Sequence, residues 1–305
     1  MDNPINILVT GSNGQLGSEL KGLVTDSRVL YKNYNVYFCD SQQLDITKYE
    51  NVDSFLNVNN IDVIVNCAGY TNVDKAEEEK AIANNINHLA VKNLAKISKD
   101  NHIKLIHIST DYVFDGEHYK PYIESDTTNP TSIYGQSKLD GENAIQDICP
   151  KNSIIIRSSW IYSKYGKNFV KTMLNLGRQK EELNVVFDQI GTPTYARDLA
   201  KTILDIIPQI KNDRVEIYNY SNEGVLSWYD FTKEIMKMAK IDCKVNPIET
   251  KDYLALNAHA KRPTLAIRPH YSLLNKSKIK SEFKIEIPFW KDSLDKCLIS
   301  LGERK

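Results

Sequence analysis

The stretch that most restricts the fold is "INILVTGSNGQLGSEL", from Ile5 to Leu20. A short apolar, β-branched run ends at Thr10, and Gly11, Gly14 and Gly17 follow before helix-like sequence begins. Glycine at such a junction allows a tight turn and lets backbone amides approach a pyrophosphate, whose charge is favoured at the N-terminus of the next helix. Glycines alone mark turns of any kind, but a strand before them and a helix after them make this a dinucleotide-loop pattern. The same rhythm continues downstream. "NVYFCD" (Asn35 to Asp40), "DVIVNCA" (Asp62 to Ala68), "IKLIHIST" (Ile103 to Thr110) and "SIIIRSS" (Ser153 to Ser159) are continuously apolar rather than alternating, as strands covered on both faces are. Helix-like segments at Leu16 to Leu23, Val52 to Val58, Glu77 to Lys99 and Tyr134 to Gln146 lie between them. This alternation predicts an α/β fold, a doubly wound parallel sheet of Rossmann type.

Two further strands are expected in "LNVVF" (Leu183 to Phe187) and "VEIYNY" (Val215 to Tyr220), with a helix over Arg197 to Ile207 between them. After them the rhythm changes to a helix capped by Ser227, then proline-punctuated loops, then a terminal helix beyond Pro288. Residues 1–158 are therefore expected to form the dinucleotide-binding domain, with 190–220 returning to it. Residues 159–189 and 221–305 are expected to form a smaller, mainly C-terminal substrate-binding lobe.

At 305 residues, with 41% hydrophobic and 26% charged, the chain has ample material for a core. Lys+Arg 39 against Asp+Glu 39 leaves no formal net charge, which argues against a nucleic-acid or anionic-membrane surface and for small-molecule partners. Cys39, Cys67, Cys149, Cys243 and Cys297 are odd in number and widely spaced, so reduced thiols are expected rather than a disulfide framework or a zinc site. No signal-peptide pattern opens the sequence and no run approaches the ~18 apolar residues of a membrane span. The expected location is the cytoplasm.

Asp40 ends the second strand, 40 − 17 = 23 residues beyond Gly17, about where an acid accepts hydrogen bonds from an adenosine ribose. A carboxylate there repels a 2′-phosphate and leans toward NAD, although such an Asp is also a common turn residue and a Lys or Arg from elsewhere would offset it. The fourth strand ends at Ser109 and Thr110, at the sheet edge where open α/β folds bind ligands. Thr110 precedes Tyr134 by 134 − 110 = 24 residues, and Tyr134 and Lys138 share one face of the next helix. Reducing a ketone with a hydride requires a proton for the nascent alkoxide. A free tyrosine, with a pKa of about 10, gives one sluggishly at neutral pH, and a nearby ammonium lowers that value. A hydroxyl, a phenol and an ammonium converging on one carbonyl would supply this chemistry. The competing reading is a Thr capping a loop beside a solvated Tyr/Lys pair.

The motifs "TGSNGQLG", "NCAGYTNVDKAE", "STDYVFDG", "YGQSKLDGE", "RSSWIY", "NFVKTM", "FDQIGTPT" and "RPHYSLLNKSKI" run in order over nearly the whole chain. Together they resemble the dTDP-4-dehydrorhamnose reductases, a family of extended short-chain dehydrogenase/reductases. The resemblance implies reduction, with NADPH or NADH, of the C4 ketone of a nucleotide-sugar, dTDP-4-dehydro-β-L-rhamnose. It implies Tyr134 as proton donor, Lys138 as its activator and ribose ligand, and Thr110 as carbonyl partner. Cofactor contacts would fall at Gly11, Gly14, Gln15, Leu16, Asp40, Asp45, Ala68, Gly69 and Thr71. Substrate contacts would fall at Val73, Thr110, Trp160, Asn168 and Arg268, with Phe169 and Lys171 in the nucleotide pocket and Arg262 as a second candidate for the diphosphate. Dehydratase relatives follow the threonine with an Asp-Glu pair, whereas here Asp111 is followed by Tyr112, which suits reduction. Some relatives dimerise through Mg2+-bound carboxylates: Glu19 matches one such acid, but Arg197 stands where another is expected, which argues against a metal bridge. A monomer or homodimer is expected. His107 reads as a sheet histidine, His259 and His270 are unassigned, and Asp74 to Lys80 reads as a solvated helix start. A non-catalytic regulatory subunit, like that of methionine adenosyltransferase, and a reductase of another nucleotide-sugar are the alternatives.

Overall fold

The continuously apolar runs become the buried strands of one parallel sheet. The computed structural model describes residues 4–257 and 266–304. The chain begins with β1 (Ile5–Thr10), α1 (Gln15–Asp26), β2 (Tyr34–Cys39), α2 (Tyr49–Val58), β3 (Val63–Asn66), α3 (Val73–Ala76) and α4 (Lys80–Asn84). It continues through α5 (Ala90–Asp100), β4 (Lys104–Thr110), α6 (Ile133–Ile148), β5 (Ile154–Ser158), β6 (Ile161–Tyr162) and α7 (Phe169–Gln179). Then come β7 (Glu182–Val186), β8 (Ile190–Gly191), β9 (Thr194–Tyr195), α8 (Ala196–Ile206) and β10 (Glu216–Tyr220). The last elements are β11 (Leu226–Ser227), α9 (Trp228–Ala239), β12 (Lys244–Ile248), α10 (Thr250–Asn257), α11 (Ser277–Phe283) and α12 (Trp290–Ser300).

Six strands pair in the order β10-β5-β4-β3-β1-β2, every pair parallel. Successive side chains of a strand face opposite sides, and both sides are covered here. Ile7 and Val9 join Leu20, Ile156, Leu199 and Ile203 beneath α1 and α8, while Leu8 joins Ile64, Leu94, Leu105 and Ile145 beneath α2, α5 and α6. The chain turns from β1 to β2 on one side and to β3 on the other, so a crevice opens at the carboxyl ends of β1 and β3.

A second core holds the lobe together: Tyr162, Val170, Leu174, Phe231, Ile235, Trp290 and Leu294 bring α7, α9 and α12 into contact. Ser227 starts α9 with a capping box, its hydroxyl accepting from the Asp230 amide while the Asp230 carboxylate accepts from the Ser227 amide.

"LNVVF" forms a strand as expected: β7 pairs with β12 in a small parallel sheet within the lobe. Three expectations change. Residues 221–305 are not all lobe, because Ile279 and Phe283 of α11, with Ile287, bury themselves in the core beneath the main sheet. Segment 77–99 is not one helix. It runs through α4, a wider π turn over Asn85–Leu89, and α5. That turn directs Asn87 inward, where its carboxamide accepts from the Tyr70 amide at 2.8 Å and donates to the Tyr70 carbonyl and Ser137 Oγ. Residues 190–220 divide: α8 lies on α1 and β10 takes the sheet edge, while β8 and β9 pair with β11 and β6.

Candidate active site

Gly11 sits at φ +63°, and a Cβ there would fall 2.7 Å from the Ala68 Cα, so the turn closes on β3 only with glycine. A Cβ at Gly17 would meet the Gly11 carbonyl oxygen at 2.6 Å, which is why α1 can start so close beneath the turn. A cleft of about 740 Å³ opens there, lined among others by Gly11, Gly14, Asp40, Asp45, Ala68 and Gly69. Asp40 is held at its rim: Oδ1 accepts from the Gln42 and Gln43 amides, and Oδ2 accepts from Asn13 Nδ2 at 2.5 Å. Asp45 accepts from the Thr47 amide and hydroxyl. A close backbone turn, a helix N-terminus and a fixed carboxylate fit the adenosine diphosphate part of a nicotinamide dinucleotide.

Other predicted contacts lie off this cleft. The Leu16 side chain is buried in the core beneath α1 and α8, which leaves only its backbone for a ligand. Gln15 bridges to the lobe, donating to the Ile161 carbonyl and accepting from Asn168 Nδ2. Thr71 is exposed in the loop after Tyr70.

The residues predicted to react come from β4 and α6. Thr110 closes β4 and is buried; its hydroxyl donates to Asp111 Oδ1 at 3.0 Å and accepts from the Tyr112 amide. Ser132 caps α6 by accepting from the Gly135 amide, which presents Tyr134 in the first turn. Enclosure pushes the Tyr134 phenol above its ordinary value, and the Thr110 hydroxyl beside it offsets part of that rise. Lys138 lies one turn further along α6, where its Nζ donates to the Ile108 carbonyl at 2.6 Å and meets His107 Nε2 at 3.2 Å. Burial pulls the Lys138 ammonium down to about 8, against the opposing pull of Glu142.

Tyr112 meets Tyr134 edge to face, with centroids 5.5 Å apart, and its hydroxyl accepts from Arg268 NH1. Arg268 NH2 donates to Asp74 Oδ2 at 2.8 Å, so Arg268 and the start of α3, which includes Val73, reach the Tyr134 side of the site. The acidic run is accordingly not just a solvated helix start: Asp74 holds Arg268, Glu77 accepts from the Ile133 amide, and Glu79 accepts from the Tyr70 hydroxyl. Trp160 has φ +48° and stacks on Trp228 at 3.6 Å between centroids. The Asn168 carboxamide is engaged as a cap, accepting from the Lys171 amide and donating to Gln15, Ser163 and Tyr165. Lys171 Nζ donates to the Lys164 and Gly166 carbonyls, and His270 lies at the exposed Asp188 carbonyl. Arg262 and His259 lie outside the described residues. Glu19 is fully buried and already partnered, accepting from Ser163 at one oxygen and from Arg197 at the other, so these residues do not fit a Mg2+ site.

Two contributors escaped the sequence reading, Asn66 and Asn87, while Asp111 and Tyr112, named there only to set dehydratases apart, also line the site. A polar residue closing an apolar strand, as Asn66 does in "VIVN", was the available signal. Asp111 is the one carboxyl among them. Burial pushes it up to about 7, partly offset by the hydroxyls of Thr110 and Ser272. An acid raised on folding is favoured neutral, so its contribution to stability falls as pH rises from its unfolded value of about 4 toward 7. Asp111→Asn is thus expected to gain about 2–3 kcal/mol of stability over wild type between pH 5 and pH 8, measured by urea unfolding. An equal difference at both pH values would refute this charge assignment.

The parallel sheet, the glycine turn at its switch point and the Thr110, Tyr134 and Lys138 groups at the carboxyl ends of its strands define a dinucleotide-binding oxidoreductase of the extended short-chain dehydrogenase/reductase class. The family model described as "RmlD substrate binding domain" matches residues 5–302. The chain belongs to that family. It is 39% identical over 297 residues to dTDP-4-dehydrorhamnose reductase of Aggregatibacter actinomycetemcomitans, covering 94% of this chain and 96% of that one. A solved dTDP-4-dehydrorhamnose reductase from Clostridium acetobutylicum superposes with a TM-score of 0.87 at 39% identity, covering 98% of this chain and 100% of the other. One from Bacillus anthracis, in complex with NADP, superposes with a TM-score of 0.88 at 35% identity, covering 97% and 99%.

Proposed function

We propose that this chain reduces the C4 ketone of dTDP-4-dehydro-β-L-rhamnose to give dTDP-β-L-rhamnose, using NADPH or NADH. The observation that carries the reading is the Thr110 hydroxyl beside the Tyr134 phenol, with Lys138, one turn along α6, held next to Gly69 of the glycine cleft. The reduced nicotinamide, when bound, supplies the hydride. Tyr134 gives its phenolic proton to the oxygen that becomes the alcohol. Thr110 orients that oxygen, and Lys138 supplies positive charge and a ribose contact. Arg268 is suited to the diphosphate by its fork of donors, with Asp74 and Tyr112 fixing its plane. Trp160, braced by Trp228, offers an apolar ring to the C–H side of a deoxysugar. Loss of reduced-nicotinamide absorbance, on mixing the protein with enzymatically made dTDP-4-dehydro-L-rhamnose and NADPH or NADH, tests the reading; no turnover with either cofactor would overturn it.

A regulatory, non-catalytic role gains no specific support from this geometry. The cytoplasm is the setting we infer, and among the described residues no helix is long and apolar enough to cross a membrane. For the cofactor, Asp40 is the discriminating group. Asp40→Ala is expected to shift the NADPH to NADH ratio of kcat/KM roughly tenfold toward NADPH, because one carboxylate charge close to the 2′-phosphate is removed. An unchanged ratio would place the ribose elsewhere.

A further inference from the structure

Behind Lys138 lies a chain of buried polar groups that the proposed reaction does not use. Thr10 Oγ1 donates to Asn66 Oδ1 at 2.6 Å, Asn66 Nδ2 meets His107 Nδ1 at 3.0 Å, and His107 Nε2 meets Lys138 Nζ at 3.2 Å. Thr10, Asn66 and His107 are all 0–1% exposed and Lys138 5%, so water does not compete for these bonds. The direction of the chain follows from one backbone group. The Ala68 amide donates to Asn66 Oδ1 at 3.2 Å, and an N–H cannot donate to the carboxamide nitrogen, so the oxygen faces Ala68 and Thr10. Asn66 Nδ2 then points at His107 and donates to Nδ1. A neutral imidazole that accepts at Nδ1 carries its proton on Nε2. That N–H is aimed at the lysine nitrogen, where an ammonium would present a second donor and a neutral amine presents a lone pair.

We propose that His107 is a positioning residue for Lys138: its Nε2–H, oriented by Asn66 and Thr10, donates to the lysine nitrogen and favours the neutral amine over the ammonium. The other groups around Lys138 act in known directions. The Ile108 carbonyl accepts from Nζ in either charge state. Glu142, one turn along α6, favours the ammonium, but both its oxygens already accept from Arg157 of β5. Cys67, at the end of β3, has its thiol pushed up to about 12 by burial and stays neutral. Tyr134, on the helix turn before, likewise stays neutral because its phenol is raised. His107 is held well below its ordinary value by burial and by Lys138, so it remains the neutral donor through the working pH range. Lys138 therefore gives up its proton more readily than an ordinary lysine, yet below its value of about 8 it still carries the charge, which makes that charge adjustable near neutral pH.

The inference rests on the reading of Lys138 as the cation beside Tyr134, so its test is spectroscopic and made on the full chain. Imidazole 15N shifts, with His107 assigned by its loss in His107→Gln, are expected to show the Nε2–H tautomer. Lysine 13Cε shifts, with Lys138 assigned by its loss in Lys138→Met, are expected to titrate more than one unit below the ~10.4 of an ordinary lysine. Asn66→Asp replaces the donor facing Nδ1 by an acceptor, moves the imidazole proton to Nδ1 and turns the Nε2 lone pair toward Lys138. In that variant the Lys138 titration is expected to move up by about one unit, a tenfold change in proton affinity, and the basic limb of the pH–rate profile to move up with it. An Nδ1–H tautomer in the wild type, or the same Lys138 titration in folded Asn66→Asp, would overturn the proposal. Since the wild-type shifts need no turnover, these results stand apart from whether the chain reduces the nucleotide-sugar.

Discussion

Tyr134→Phe is expected to lower turnover about 10²- to 10⁴-fold, the usual contribution of a positioned general acid. Its effect on binding should be small. The phenyl ring still fills the space against Tyr112, which it meets edge to face, and α6 keeps its Ser132 cap. Only the hydroxyl beside Thr110 is lost, and with it the proton for the nascent alkoxide. Single-turnover rates, read alongside NADH and NADPH titrations by fluorescence, separate the two effects. Turnover within threefold of wild type would show that the proton comes from another group, and Asp111 is the neighbour to examine first, since its carboxyl is pushed up to about 7.

The second large effect is on stability. Arg157 on β5 and Glu142 on α6 form a buried ion pair, with side chains 3% and 0% exposed; Nε and NH2 donate to the carboxylate, NH2 at 2.7 Å. Arg157 also donates to the Glu124 carbonyl and lies over the Phe114 ring. Removing one partner from such a pair strands the other charge away from water. Glu142→Gln is therefore expected to cost about 3–5 kcal/mol, read as a fall in the urea midpoint at constant m. A loss below about 1 kcal/mol would mean that water reaches Arg157. Glu142 also favours the Lys138 ammonium, so the same variant is expected to lower the Lys138 titration, opposite in sign to Asn66→Asp.

Much of this was legible in the chain itself. Strand runs such as "INILVT" and "DVIVNCA" declare burial on both faces by continuous apolarity, and the buried strands β1 and β3 follow. The glycine trio was equally legible, because a positive φ at Gly11 and the crowding at Gly17 are needs of local backbone. "LNVVF" was legible as a strand, but a short apolar run does not say what it pairs with, and its partner β12 is set only by the fold. The single helix expected over 77–99 failed because helical periodicity tolerates one wide turn, and Asn87 needed that turn to reach the Tyr70 backbone.

By itself, then, the sequence determined the parallel α/β architecture and the glycine turn, and it put forward Thr110, Tyr134 and Lys138 as the groups of a site. These depend on periodicity, on backbone freedom and on spacing along one helix, which are short-range properties. Only the tertiary structure decided where the charges point. It joined Arg268 to Asp74 across 194 positions, Asn66 to His107 across 41, and His107 to Lys138 across 31. Contacts of that span are set by which strands lie adjacent and which faces are buried. In a dry interior each such donor must find an acceptor, so the packing of the sheet, rather than any local pattern, settles what Lys138 faces.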